Sequence, residues 1–84
     1  MWYIRTMATF DHYSEAREIA YQLDAMGKSS AADAVRHAIA SGSTGTEIFM
    51  KLRHELAPLK SEALPDLLAA RVRRLWSELD AALR

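Results

Sequence analysis

Histidine offers this 84-residue chain its widest chemistry, since imidazole binds metals and exchanges a proton near neutral pH. His37 follows Asp33 by four residues, which places both on one side of a helix, away from Ala31, Ala34, Val35, Ala38 and Ile39. Such a pair can offer zinc two ligands. Two ligands from one helix do not complete a tetrahedral site, and no His-Glu-x-x-His run or similar constellation supplies the others. Asp33 and His37 therefore read as a solvated local pair. His12 falls at the start of the first helix, inside its apolar arc, where a half-buried histidine bonded to backbone or tyrosine is expected. His54 and Glu55 are adjacent, so their side chains diverge by about 100° and form no dyad by themselves.

Nucleophilic chemistry finds equally little support. Serines and threonines cluster at Ser29-Ser30 and from Ser41 to Thr46, but each has a use as a helix cap or turn former. A nucleophile also needs a positioned base and an oxyanion hole, and neither is indicated. Gly42-x-x-Gly45 ahead of a helix lacks both the Gly-Lys-Ser/Thr ending and the preceding strand of a phosphate-binding loop. There is no cysteine, so disulfides, zinc–thiolate sites and thiol nucleophiles are excluded. The expectation is a non-enzyme with no cofactor and no metal.

Charge narrows the partners. The chain carries 11 Lys+Arg against 11 Asp+Glu. Phosphate binding calls for a concentrated basic face, so this balance disfavours nucleic acid as a main partner. No apolar run approaches the roughly 20 residues of a membrane span. The opening Met1-Trp2-Tyr3-Ile4-Arg5-Thr6-Met7 lacks the basic-then-apolar order of a secretory signal, and a cytoplasmic location is expected. Met7-Ala8 offers an alternative start that would make the first six residues optional.

Four helices must position whatever the chain does. Ala16, Ile19, Ala20, Leu23 and Met26 recur at spacings of three and four, which predicts a first helix over residues 11–26. Thr9 or Asp11 can cap its start, and Gly27 suits a left-handed closing residue. Ser30, with Asp33 three residues on, is expected to cap a second helix that ends at Gly42. Thr44 and Glu47 fit the T-x-x-E capping box, and Ile48, Phe49, Leu52, Leu56 and Leu59 give the third helix its inward face. Pro58 must end or kink that helix near Leu56. Pro65 suits the first residue of a fourth helix running nearly to Arg84, roughly 28 Å long. Its stripe is Leu64, Leu68, Val72, Leu75, Trp76, Leu79, Ala82 and Leu83. The predicted fold is all-α: a compact four-helix bundle with short connections, one domain over 1–84, with residues 1–8 a loosely attached segment. Trp2 and Ile4 either belong to a short extended piece or pack on the core.

Faces outside the core carry the remaining possibilities. Met50, Arg53, His54 and Ala57 form a second stripe on the third helix, opposite its leucines, with the composition of a partner-binding surface. Arg17, Tyr21 and Asp24 share the outer face of the first helix, and Tyr and Arg are favoured at binding hot spots. Trp76, at the edge of its stripe, suits a dimer contact. Either these stripes bind a partner, or the bundle and the N-terminal segment cover them. Arg71 and Arg74 share a side with Glu78, and Arg74–Glu78 reads as a solvated i,i+4 pair. The candidate partner-binding residues are thus Arg17, Tyr21, Met50, Arg53, His54 and Trp76. A helix-turn-helix alternative would use Thr44, Thr46, Lys51 and Arg53 on DNA. With Gly42 in the turn, that motif wants apolar residues where Ser43 and Lys51 stand.

Ser43 to Arg53, together with Leu75-Trp76-Ser77-Glu78-Leu79-Asp80-Ala81-Ala82-Leu83, resembles short helical proteins of proteobacteria with no assigned biochemical role. The likeness covers the C-terminal half. Small bacterial proteins of this kind include immunity proteins that block a toxin by binding it, so the resemblance implies a protein partner, either a toxin or a second copy. The chain lacks the strong acidity common in inhibitors of nucleases, which argues against a nuclease target.

Overall fold

The computed structural model describes residues 10–84. Expectations for Trp2, Ile4, Thr9 and the attachment of residues 1–8 fall outside that range. Four α-helices follow one another: α1 (His12–Ala25), α2 (Ser29–Ser41), α3 (Gly45–Leu56) and α4 (Asp66–Ala82), with a 3-10 turn (Pro58–Ser61) between the last two. The described residues contain no strand. Contacts run α1 to α2, α2 to α3, α3 to α4 and α4 back to α1, so the bundle closes as a ring of four seams.

Local chemistry explains each boundary. The Asp11 carboxylate accepts the Ser14 amide at 3.0 Å and starts α1. At its other end Gly27 adopts φ +80, Gly27 N–H donates to Asp24 O at 3.0 Å and Lys28 N–H to Leu23 O at 2.9 Å. This doubly bonded left-handed ending limits the joint to Met26, Gly27 and Lys28. α2 therefore begins at Ser29, with Lys28 in the N-cap position and no side-chain cap. The expected Ser30 cap is corrected: Ser30 already lies within the first turn.

α3 carries the expected cap, with Glu47 N–H donating to Thr44 Oγ1 at 3.1 Å. The return bond is displaced by one residue, since Glu47 Oε1 accepts from Ser43 N at 2.9 Å and Ser43 Oγ at 3.1 Å. These bonds hold the Glu47 carboxyl below its ordinary range, the Ser43 backbone amide contributing most. Pro58 stops α3 at Leu56, as predicted, and the chain tightens into the 3-10 turn that buries Leu59. Pro65 is the N-cap of α4 and not its first residue; its carbonyl accepts the Ala69 amide at 2.8 Å.

The core joins Ile19 and Leu23 of α1, Val35 of α2, Leu52 and Leu56 of α3, and Val72, Leu75 and Leu79 of α4, all fully buried. Three expectations shift. Met26 is exposed because it lies past the last turn of α1, and Ala82 is exposed at the fraying end of α4. On α2 the buried residues are Ala32, Val35 and Ala38, while Ala31, Ala34 and Ile39 are half-buried. Alanines nearly surround α2, and so small a side chain loses little by facing either way, which leaves the facing weakly specified by pattern.

Candidate functional site: the α2/α3 groove

Three of the four seams are closed by ion pairs. Asp24 of α1 holds Arg36 of α2, Glu15 of α1 meets Arg71 of α4 at 3.2 Å, and Arg53 of α3 meets Asp80 of α4 at 2.6 Å. Asp80 also accepts from Arg84 at 2.9 Å, and this bond, then the one from Arg53, holds its carboxyl below the ordinary range. The hydrogen bond to Asp24 raises the Arg36 guanidinium further above its usual value. Among the described residues no ion pair crosses the α2/α3 seam. Lys51 Nζ donates to Ser41 Oγ across it at 3.1 Å, and lies 3.9 Å from Glu47 on its own helix.

That seam opens into a groove of about 460 Å³. His37, Ala38 and Ser41 form the α2 wall; Glu47, Met50, Lys51, His54 and Glu55 form the α3 wall. Met50 is 52% exposed there, an apolar, flexible side chain set among ionisable groups of both signs. α3 presents these residues because 47, 50, 51 and 54 share a face at helical spacing, beside the Leu52–Leu56 face that fixes the helix to the core. Gly42 sets the closeness of the walls. With φ −81 it needs no left-handed freedom, but a β-carbon there would stand 3.0 Å from Ile48 N and 3.1 Å from Ile48 Cα.

The six residues singled out from sequence divide among three regions. Met50 and His54 share the groove. Arg17 and Tyr21 lie on the outer face of α1, with Tyr21 68% exposed and neither lining the groove. Arg53 and Trp76 lie on the α3/α4 side. Arg53 is engaged with Asp80, and Trp76 is half-buried against the core with Lys60 Nζ 3.3 Å from its ring centroid. The Arg74–Glu78 pair is present at 3.9 Å.

Histidine chemistry is corrected in one respect. His12 is half-buried as expected, but its ring sits 5.0 Å from Phe10 and 4.5 Å from Phe49, and its Nε2 is buried with no hydrogen-bond partner among the described residues. The aromatic neighbours, joined by Tyr13 at 5.8 Å from Phe49, fix α1 against α3. Asp33 meets Arg36 at 3.1 Å, which leaves His37 to the groove. Among the described residues no group of three or more His, Asp or Glu is arranged to hold a metal ion.

Sequence reasoning missed Glu47, Lys51 and Glu55 as groove residues. The signal was available: 47, 50, 51, 54 and 55 recur at helical spacing, one position to the side of the Met50–Arg53–His54–Ala57 stripe. Lys51 and Arg53, the cations of the DNA-binding alternative, are both engaged within the bundle, as is Thr44 in the cap. No helix of the described residues is long and apolar enough to cross a membrane. Fold and site together define a small all-α bundle with one seam that no ion pair crosses among the described residues. Comparison with protein-family models, with curated proteins and with solved structures found no match.

Proposed function

We propose that this chain is a small, non-catalytic protein-binding module of the cytoplasm, and that its partner docks on the α2/α3 groove. The observation that carries this reading is Met50, half exposed at the one seam that no ion pair bridges among the described residues, rimmed by His37, Glu47, Lys51, His54 and Glu55. A partner side chain entering the groove would meet a polarizable apolar floor and ionisable groups of both signs, the arrangement of an apolar core within a polar rim. The most concrete version is a bacterial immunity protein that neutralises a toxin by occupying it. The helix-turn-helix alternative has less support, since its two cations already have partners and the net charge is zero.

Capture of interacting proteins with the tagged chain, followed by isothermal titration with the purified partner, tests this reading. Met50→Asp should cut affinity about tenfold or more, because a carboxylate would be desolvated at the centre of the contact, while the thermal midpoint stays within error. Tyr21→Ala, on the outer face of α1 and outside the groove, serves as the comparison. Loss of binding in Tyr21→Ala with full binding in Met50→Asp would move the site to α1 and defeat the groove assignment.

A further inference from the structure

The outer face of α4 carries a second surface with its own logic. Asp66, Leu67, Ala70, Arg73, Arg74 and Ser77 are all exposed. Leu67, at 83%, is the most exposed large apolar side chain among the described residues. Most charges of α4 already have partners: Arg71 with Glu15, Arg74 with Glu78, Asp80 with Arg53 and Arg84. Asp66 and Arg73 have no ion-pair partner among the described residues, and they stand at opposite ends of the exposed face.

Helical geometry gives this face an unusual symmetry. Asp66 and Arg73 are seven residues apart, about two turns or ~10 Å along the axis, and lie within about 20° of one another around it. Leu67 and Arg74 repeat that relation on the other side of the face, and Ala70 lies at the middle. Two antiparallel copies of α4 related by a twofold axis at Ala70 therefore bring Asp66 of each to within about one residue rise (~1.5 Å) of the level of Arg73 of the other, on the same side of the face. They also bring Leu67 of each against the aliphatic stem of Arg74 of the other. Every contact is made twice, as an isologous interface requires. A recess of about 460 Å³ between α1 and α4, lined by Glu15, Gln22, Leu67, Ala70, Arg71 and Arg74, borders the face on its Leu67–Arg74 side. The β-carbon of Ala70 lets the helices approach closely at the axis.

We propose that the chain associates with a second copy of itself through α4, packed antiparallel about Ala70 and held in register by reciprocal Asp66–Arg73 pairs. This surface is separate from the α2/α3 groove, and the dimer stands or falls independently of the groove assignment.

Sedimentation velocity on the full 84-residue chain, from micromolar to about 1 mM, tests it. The wild type should move from 9.5 kDa towards twice that mass as concentration rises. Arg73→Asp sets two like-charge pairs across the axis and should weaken association by about tenfold or more. Asp66→Arg combined with Arg73→Asp recreates the pairs with signs exchanged and should restore the dimer. Circular dichroism of each variant confirms the helical fold, both positions being exposed. A wild type that stays at 9.5 kDa throughout overturns the proposal. So does a dimer indifferent to Arg73→Asp, or one that the exchanged pair fails to recover.

Discussion

Replacing Gly42 by alanine tests the tightest joint of the bundle. The added β-carbon would lie 3.0 Å from Ile48 N, 3.1 Å from Ile48 Cα and closer still to Ile48 Cγ1. Favourable carbon contacts fall at about 3.5–4.0 Å, so relief needs a movement of several tenths of an ångström. The Ile48 side chain can turn aside. Its backbone is fixed in the first turn of α3, where Ile48 N–H donates to Thr44 O at 3.0 Å. Overpacking of this kind costs about 1–3 kcal/mol, against a gain of about 0.4–1 kcal/mol from restricting the unfolded chain. The φ −81, ψ 144 conformation suits alanine as well as glycine, so no backbone strain enters. The net is a loss of about 1–2 kcal/mol, or roughly 5–15 °C in thermal midpoint for a domain of this size. Gly45→Ala is the internal control. Its β-carbon would meet only Tyr13 Oη at 3.8 Å, an ordinary contact, and within a helix the change should stabilise by up to about 1 kcal/mol. Thermal and urea unfolding followed by circular dichroism read both variants. A Gly42→Ala protein as stable as the wild type would refute the close-approach account of this joint.

Three further outcomes follow from the packing and caps. Leu79→Ala should cost about 2–5 kcal/mol in urea unfolding, because Leu79 is fully buried at the centre of the α4 stripe. Thr44→Ala should cost about 1 kcal/mol by removing the acceptor of the Glu47 amide, with Thr44→Ser losing far less. Asp80 and Glu47 both have carboxyl pKa values lowered in the folded state, so the unfolded chain binds protons first; their stabilisation is complete above the ordinary carboxylate range and is lost as pH falls through it. Urea midpoints between about pH 3 and pH 7 should fall towards acid, and less steeply in Asp80→Asn, with equal slopes in both proteins counting against the Asp80 assignment.

The sequence announced the helices where a single residue type had a single use. Gly27 in the left-handed region, Thr44 before Glu47, and Pro58 after Leu56 each enforce local geometry that no packing arrangement could easily override. Legibility failed where the deciding partner lay far along the chain. Arg53 read as a free surface cation because Asp80 is 27 residues away, and His12 read as hydrogen-bonded because the aromatic ring of Phe49 reaches it only through the α1–α3 contact. The Ser30 cap failed for a subtler reason, since the bond from Lys28 N to Leu23 O belongs to the preceding helix and leaves no room for another joint residue. Of the groove, the α3 wall was half legible through Met50 and His54. Its α2 wall was not, because the orientation of an alanine-rich helix is settled by its neighbours.

The placement of ion pairs bears on function more than on stability. Exposed pairs such as Asp24–Arg36 contribute about 0–1 kcal/mol each, so the bundle rests on its buried leucines, isoleucine and valines. What a pair at a seam does instead is satisfy both charges and fix which helices are neighbours, and it thereby withdraws those groups from any outside partner. At the α2/α3 seam the corresponding groups are left facing the groove, and on α4 Asp66 and Arg73 are left facing outward. His37, His54, Glu55, Asp66 and Arg73 have no ion-pair partner among the described residues and can be matched by a partner without first breaking one, whereas Glu47 and Lys51 already bond Ser43 and Ser41. Binding through those unpaired groups therefore avoids the loss of an existing pair, whereas docking over Asp24–Arg36 or Arg53–Asp80 would bury or break one.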